Sequence, residues 1–314
     1  MLLPAPTPGA FYATHLEARQ ARHDEEQDPA VPAGTWRTLA DLLADDAHVL
    51  RTGHGLMVAG GDPAPAAANY LMGWVGGALA EAVGFTHATT GAGVLADASV
   101  RWRFHPDGWT DRVDVSACGV VVAPDHPWSG LPRVETVADR DAVRARVVRA
   151  LATTLAPYVT ALRGLARIGR NSLWAEVADG LGAATAASPE LDGAAGTVPD
   201  LQALLDAPGA PWRARPRLWC ADAATGPMVV CRKGGCCLAY TTPGADDHVP
   251  DLDGLDAEHR AYREAFPRVP GERFYCTTCC FRDASDVEAR QVLWADLMTA
   301  RRLTPTPALI EENR

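Results

Sequence analysis

Residues 228–240, with the sequence MVVCRKGGCCLAY, join a short apolar run to two glycines and two adjacent cysteines. The β-branched residues at the start of this stretch predict a strand over residues 228–231. The two glycines that follow allow backbone conformations that are closed to other residues. We therefore expect the adjacent cysteines, Cys236 and Cys237, to stand directly after a strand and a tight turn.

A second group of cysteines lies in residues 275–280, YCTTCC, and 38 residues separate Cys237 from Cys276. Thiolates are soft ligands, so several of them together favour zinc or iron–sulfur centres over magnesium or calcium. The spaced pair Cys276 and Cys279 suits zinc, iron–sulfur or thiol redox chemistry equally well. Structural zinc sites more often separate paired ligands by two to four residues, whereas Cys236 and Cys237 are adjacent.

The positions of the eight cysteines also bear on their chemistry, since five of them fall in the last quarter of the chain. The first residues, MLLPAP, have neither the basic nor the apolar segment of an export signal. We expect a cytoplasmic protein whose thiols stay reduced, which favours a metal or redox role over disulfides.

The cysteine pattern resembles that of a known family. Residues 232–240, RKGGCCLAY, and residues 275–279, YCTTC, are similar to the C-terminal motif of the FhuF-like ferric-siderophore reductases. The segment NSLW at residues 171–174 also looks like that family. The resemblance covers about residues 60–290, but only the cysteine motif is specific.

The resemblance implies both a cofactor and a reaction. The family holds a [2Fe–2S] cluster through four cysteines, which correspond here to Cys236, Cys237, Cys276 and Cys279. It implies reduction of ferric iron in a hydroxamate-type siderophore, with release of ferrous iron in the cytoplasm. The chain departs from the family in the long acidic insertion, residues 241–272, between the two halves of the motif. Loop closure entropy rises only logarithmically with length, so such an insertion is permissible.

Several residues near the motif have open roles. Arg232 and Lys233 are expected to offset the negative charge of a thiolate cluster, or else to form a solvated basic turn. The glycines are expected to permit close approach to an inorganic core. Cys280 could replace Cys279, exchange with it on oxidation, or pack as a small hydrophobic side chain, and we favour packing. Cys231 is expected to be buried in the same way.

Composition narrows the range of partners. The formal net charge of −10 argues against binding to nucleic acid or to an anionic membrane, because both need a basic surface. No phosphate-binding loop or dinucleotide fingerprint is present, so we expect electrons to come from an external protein or diffusible reductant. No side chain is assigned as a catalytic acid, base or nucleophile. The small-residue segment 66–83 is expected to be a buried helix and not a membrane span.

The patterns predict an α+β fold that is mainly helical, with a small antiparallel sheet and a C-terminal cysteine-rich iron–sulfur subdomain. Three regions are expected: an irregular lead-in over residues 1–35, a helical and antiparallel-sheet siderophore-binding region over 36–210, and a [2Fe–2S]-binding region over 211–314. Further predictions concern single elements: a helix from Thr35 to about Leu50, antiparallel strands within 93–123 joined by a turn at 105–108, a helix over 139–165 that Pro157 kinks or ends, a helix capped by Asn171 or Ser172, a short helix over 258–266, and a closing helix over 284–302.

Two other functions use the same cysteines. A structural zinc module that mediates protein contacts would be colourless and redox-silent. An iron–sulfur electron carrier or sensor would be coloured but would not release iron from a siderophore.

Overall fold

The computed structural model describes residues 34–44, 48–59, 64–104, 110–184, 194–224, 226–238, 241, 256–267, 273 and 275–303. More than half of these residues are helical, which confirms the mainly helical α+β prediction. The helical elements are α1 (Leu39–Leu43), α2 (His48–Ala59), α3 (Ala64–Met72), a π-helical turn (Gly73–Gly77), α4 (Ala78–Thr90), α5 (Arg140–Leu165), α6 (Arg170–Ala183), α7 (Ala194–Leu205), α8 (Ala257–Ala265) and α9 (Ala284–Leu303). The strands are β1 (Thr35–Thr38), β2 (Gly93–Leu95), β3 (Arg101–Phe104), β4 (Thr110–Asp114), β5 (Gly119–Val122), β6 (Val134–Thr136), β7 (Arg217–Ala223) and β8 (Gly226–Arg232).

The described strands form three small sheets, with the orders β1-β3-β4, β2-β5-β6 and β7-β8. All pairs are antiparallel except β5 with β6, which run parallel. The antiparallel strands predicted within residues 93–123 are therefore confirmed, while the turn predicted at 105–108 lies outside the described residues. The predicted strand 228–231 forms the end of β8, and the helices predicted over 258–266 and 284–302 are also present as α8 and α9.

The N-terminal elements differ from the prediction of one helix from Thr35 to about Leu50. Residues 35–38 instead form β1, paired with β3, because the exposed edge of β3 offers them backbone partners. The first helix, α1, follows this strand directly and begins at Leu39. Thr38 caps it, and the hydroxyl of Thr38 accepts from the backbone N–H of Asp41. The carboxylate of Asp41 accepts in return from the backbone N–H of Thr38, which completes a capping box. Of the predicted lead-in over residues 1–35, residues 1–33 lie outside the described structure.

The helix predicted over 139–165 is confirmed as α5, which Asp139 caps and which continues through Pro157 to Leu165 without ending at the proline. The cap predicted for the next helix was wrong. α6 is not capped by Asn171 or Ser172, because it begins after Gly169, whose carbonyl accepts from the backbone N–H of Ser172.

The main core is built around a long helical run, from α3 through the π-helical turn to α4, that packs along α6. The turn widens the backbone hydrogen-bond pattern. The carbonyl of Val75 accepts from the backbone N–H of Ala78 and also from the buried indole N–H of Trp102, at 3.0 Å. Gly77 of the turn and Gly180 of α6 bring the two backbones into direct contact. Among the described residues, no helix is both long and apolar enough to cross a membrane.

A smaller apolar cluster lies between the β7-β8 pair and α9. It is centred on Met228, Val230 and Val287, with Trp219 packed against it. The cluster fixes strand β8 on the C-terminal helix, and β8 is the strand that leads into the two adjacent cysteines. The boundaries predicted for the three regions of the chain remain predictions.

We expect Gly180→Ala to lower the free energy of unfolding by about 1–3 kcal/mol, because the added methyl group would overlap the carbonyl of Gly77. Gly164→Ala in α5 is the matched control, since a methyl group there meets no other atom within 4 Å. The control should raise the free energy of unfolding by about 0.5–1 kcal/mol. Urea denaturation measures both changes, and equal effects at the two positions would contradict the close packing of α6.

Candidate metal centre

Strand β8 leads into the turn that carries Cys236 and Cys237, as the sequence predicts. Immediately after the strand, the backbone N–H of Lys233 donates to the carbonyl of Thr278 at 2.8 Å. Thr278 lies between Cys276 and Cys279, so this hydrogen bond joins the two halves of the cysteine motif. The halves meet although 38 residues separate them in the sequence.

The four predicted ligands lie together, and a fifth thiol lies with them. The sulfur atoms of Cys237 and Cys276 are 3.9 Å apart. The thiols of Cys276 and Cys279, and those of Cys236 and Cys280, are close enough to shift each other's pKa. We call these five residues the thiol cluster. The other three cysteines lie outside it: Cys118 and Cys231 are buried, and Cys220 is exposed on β7.

The contacts within the thiol cluster are pairwise. Among the residues that the structure describes, no group of three or more His, Cys, Asp or Glu side chains is arranged to hold a single metal ion. A [2Fe–2S] cluster needs two thiolates for each iron. The quantity to compare is therefore the distance between the two sulfurs of each pair. Two sulfurs on one tetrahedral metal lie about 3.8 Å apart if the metal–sulfur bonds are about 2.3 Å. The pair Cys237 and Cys276 matches this separation, and the donor set is made entirely of soft sulfur atoms.

Backbone N–H groups are directed at two of the sulfur atoms. The N–H of Leu238 donates to the sulfur of Cys236 at 3.4 Å, and the N–H of Phe281 donates to that of Cys279 at 3.5 Å. Such hydrogen bonds stabilise thiolate charge and tune the potential of iron–sulfur centres. The hydrogen bond with Cys276 lowers the pKa of Cys279, whereas burial raises the pKa of Cys236. Metal binding must therefore displace protons from part of the thiol cluster.

The two glycines before the cysteines permit close approach to two protein neighbours. A methyl group on Gly234 would overlap the backbone of Arg215, and one on Gly235 would overlap the side chain of Ala175 in α6. Gly235 thus allows the turn to lie directly on α6. The approach of these glycines to an inorganic core remains a prediction.

Two acidic residues of α6 hold the turn. Asp179 is 2% exposed and accepts from the backbone N–H groups of Gly234 at 2.8 Å and Gly235 at 3.2 Å. Glu176, 5% exposed, accepts from the ammonium group of Lys233 at 3.0 Å. Lys233 thus pairs with a buried carboxylate, and is not part of a solvated basic turn.

Burial raises the pKa of Asp179 to about 7, against the opposing effects of Lys233 and the two N–H groups. Burial alone would lower the pKa of Lys233, but the carboxylates of Glu176 and Asp179 outweigh it and raise that pKa. Lys233 also interacts electrostatically with Cys237 and Cys276. It therefore places a fixed positive charge beside one sulfur pair of the thiol cluster.

Two further residues position the cysteine backbone. The side-chain amide of Asn69, on α3, donates to the carbonyl of Cys236 at 3.1 Å. Arg282 donates to the carbonyls of Cys276 and Tyr275, at 2.9 and 2.7 Å, and forms an ion pair with Asp286. Both halves of the thiol cluster are thereby tied to helices of the fold.

The described part of the long insertion supports the second half of the motif. The hydroxyl group of Tyr262, on α8, lies 3.0 Å from that of Thr277, inside the C-x-x-C turn. The ring of Tyr262 packs edge-on against Trp294 of α9, with 5.6 Å between ring centroids. The insertion is thus anchored to α9 and to the turn. Residues 242–255 and 268–272 of the insertion lie outside the described structure.

Sequence reasoning missed Asn69, Glu176, Asp179, Tyr262 and Arg282. One signal was present, because Glu176 and Asp179 lie three residues apart in a helix whose residues 173–183 are otherwise apolar. Acidic side chains on a buried helix require partners, and their spacing places them on one face.

We expect Asp179→Ala to lower the free energy of unfolding by about 1–3 kcal/mol, because it leaves two buried N–H groups without an acceptor. Asp206→Ala is the control. The side chain of Asp206 is 47% exposed, so its ion pair with Arg215 contributes only about 0–1 kcal/mol to the free energy of unfolding. Urea denaturation compares the two variants. If the free energy of unfolding falls no further in Asp179→Ala than in Asp206→Ala, the carboxylate of Asp179 does not hold the turn.

No family model, no curated protein and no solved structure matches this chain.

Proposed function

We propose that this protein binds a [2Fe–2S] cluster through Cys236, Cys237, Cys276 and Cys279 and acts as a cytoplasmic ferric-siderophore reductase. The observation that most supports the proposal is the 3.9 Å contact between the sulfurs of Cys237 and Cys276, which joins the two halves of the motif across 38 residues. The resemblance of the motif to the FhuF-like reductases supplies the substrate class, a ferric hydroxamate-type siderophore.

The chemistry of the substrate explains why one electron is sufficient. Ferric iron is a hard ion that oxygen donors bind very tightly, whereas ferrous iron is held more weakly, so reduction releases the metal. A cluster bound at these cysteines would supply one electron at a time, at a potential that charge and hydrogen bonds adjust. The electron comes from an external protein or diffusible reductant.

The chain's own residues stabilise negative charge at the site. Lys233 is fixed by Glu176 beside Cys237 and Cys276, and the N–H groups of Leu238 and Phe281 donate to sulfur. Each contact favours an added electron, because it stabilises the more negative state.

The position of the thiol cluster also suits electron exchange. Cys236, Cys237 and Cys276 are partly exposed, and the neighbouring Phe281 ring is 57% exposed and packs against Tyr275. A donor and a ferric chelate can therefore come close to the sulfur atoms without an opening of the main core.

Anaerobically purified protein should contain about two irons and two sulfides per chain and absorb visible light. With a reductant, a ferric hydroxamate siderophore and a ferrous trap, it should accelerate ferrous release. Cys236→Ser should lose both the colour and the activity, whereas Cys220→Ser, outside the thiol cluster, should keep them.

The outcomes separate the three functions. Colourless protein with one bound zinc would identify the structural zinc module. Coloured protein that does not accelerate ferrous release would identify an electron carrier or sensor. Either result would overturn the reductase proposal.

Lys233→Gln should lower the midpoint potential of the bound cluster, because it removes a fixed positive charge beside Cys237 and Cys276. A redox titration followed by visible absorption measures the shift. Lys233→Gln combined with Glu176→Gln removes both charges of the ion pair and should shift the potential less.

Arg232→Gln provides a matched control for Lys233→Gln, because it removes the same charge one residue earlier on the chain. We expect a smaller effect, since Lys233 is the residue that interacts with the two cysteines. A potential in Lys233→Gln equal to that of the unchanged protein would refute the electrostatic role.

A further inference from the structure

One sulfur–sulfur contact joins the two halves of the cysteine motif directly. The thiol of Cys237 donates to the sulfur of Cys276 at 3.9 Å. A disulfide bond holds its two sulfurs at about 2.05 Å, so this pair lies about 1.9 Å from bonding distance. Each side chain can rotate between staggered positions about its Cα–Cβ bond, which moves the sulfur without moving the backbone. The two thiols are therefore placed to form a covalent bond across the motif.

Contacts within the chain fix the backbone on both sides of this sulfur pair. The N–H of Lys233 donates to the carbonyl of Thr278 at 2.8 Å, which ties the two turns together. The guanidinium group of Arg282 donates to the carbonyl of Cys276 at 2.9 Å. Because the fold holds the two thiols together, a bond between them closes within one molecule, where the effective concentration of the second thiol is high.

Both thiols of the pair can be reached from solvent. Cys237 and Cys276 are partly exposed, whereas Cys279 is only 4% exposed. The rate of thiol–disulfide exchange depends on such access. A small oxidant therefore reaches Cys237 and Cys276 more easily than it reaches Cys279 in the C-x-x-C turn.

Two of the other thiols in the cluster are engaged with backbone N–H groups. The sulfur of Cys236 accepts from the N–H of Leu238, and the sulfur of Cys279 accepts from the N–H of Phe281. Oxidation of either sulfur would give up this contact, because a new sulfur–sulfur bond requires the side chain to turn. These hydrogen bonds disfavour Cys236 and Cys279 as partners in a disulfide.

Cys280 is the remaining thiol of the cluster. It is partly buried and belongs to neither of the apolar clusters formed by the described residues, so the hydrophobic packing expected for it is not found. An experiment on oxidation therefore has to distinguish cross-links of Cys280 from a bond between Cys237 and Cys276.

We propose that Cys237 and Cys276 form a redox-modification site, which reacts with low-molecular-weight disulfides of the glutathione type and closes to an intramolecular disulfide. The reaction belongs to the protein before it carries a metal centre, because metal coordination and the disulfide use the same two sulfurs. Disulfides in a reducing compartment are commonly transient and redox-sensing. The inference goes beyond the reductase proposal and does not depend on it.

The reaction is a thiol–disulfide exchange in two steps. The thiolate of one cysteine attacks a sulfur of the small disulfide, which forms a mixed disulfide and releases one small thiolate. The other cysteine then attacks the protein sulfur of the mixed disulfide, which forms the bond between Cys237 and Cys276 and releases the second small thiolate. The protein loses two electrons, the small disulfide gains them, and the two thiol protons pass to the released thiolates.

The closed disulfide has two consequences for the site. Metals bind thiolates, and neither sulfur of a disulfide is a thiolate, so oxidised protein takes up no metal until a reductant reopens the bond. The disulfide also protects both sulfurs from oxidation to sulfinic and sulfonic acids, which thiol reductants do not reverse. The cross-link is therefore a reversible, protected form of the empty site.

Oxidation of the unchanged, metal-free protein tests the proposal without any variant. Reduced full-length protein is exposed anaerobically to an excess of oxidised glutathione, the remaining thiols are alkylated, and disulfide-linked peptides are identified by mass spectrometry. A cross-link between Cys237 and Cys276 should be the main intramolecular disulfide, and dithiothreitol should reverse it. Cys220, exposed on β7, should form only a mixed disulfide with glutathione. A main cross-link between any other pair, or mixed disulfides alone at Cys237 and Cys276, would overturn the proposal.

Serine variants test whether each thiol of the pair needs the other. Cys276→Ser should leave Cys237 as a stable mixed disulfide with glutathione, because no thiol at position 276 can resolve it. Cys280→Ser is the matched control, which removes a neighbouring thiol and should form the same cross-link as the unchanged protein. Loss of the cross-link in Cys280→Ser, or an unchanged rate of intramolecular oxidation in Cys276→Ser, would contradict the proposal.

Iron and sulfide uptake distinguishes this inference from the proposed function. Protein that is reconstituted with ferrous iron and sulfide before exposure to oxidised glutathione should not form the cross-link, and cross-linked protein should not take up iron and sulfide. If the reduced protein takes up no iron and sulfide but forms the cross-link, the reductase proposal fails and the redox-modification site stands. If it takes up both but its metal-free form never yields the cross-link, the redox-modification site fails and the reductase proposal stands.

Discussion

The candidate site depends on one contact, in which the carboxylate of Asp179 accepts from two successive backbone N–H groups, those of Gly234 and Gly235. A buried carboxylate is costly without such partners, and buried N–H groups are equally costly without an acceptor, so each requires the other. The contact fixes the turn that carries Cys236 and Cys237 onto α6. Since α6 is itself packed against the long α3–α4 run, the position of the thiols follows from the packing of the main core.

Electrostatics strengthen this arrangement. Glu176, one turn before Asp179 on the same helix, pairs with Lys233, so the acidic face of α6 meets a fixed cation as well as the two N–H groups. A half-satisfied ion pair would be destabilising in such a buried place, whereas a paired one maintains a unique geometry. The same lysine then serves the neighbouring sulfurs. One helix face therefore orders the turn and sets the charge around the cysteines.

Local features of the chain could be predicted from the sequence, and contacts between distant segments could not. The strand before Cys236, the helix α9 and the antiparallel strands within 93–123 follow from propensity and from turn residues, which act over a few positions. The proximity of the four thiols was predicted from their shared preference for soft metals and from the resemblance of the motif. In contrast, the helix expected from Thr35 gave way to β1, because pairing with β3 outweighed helix propensity. The contacts of Asn69 and Tyr262 join segments far apart in the sequence, and no local pattern marks them.

The separation of the two cysteine groups has a consequence for biosynthesis. When Cys236 and Cys237 are added to the nascent chain, their sulfur partners have not yet been made, and 38 residues remain to be added before Cys276. At 5–20 residues per second this takes about 2–8 s. During that interval the chain contains the first thiol pair without the second. The five thiols can come together only after α8 and the second cysteine group have been synthesised, so the site forms late in the synthesis of each molecule.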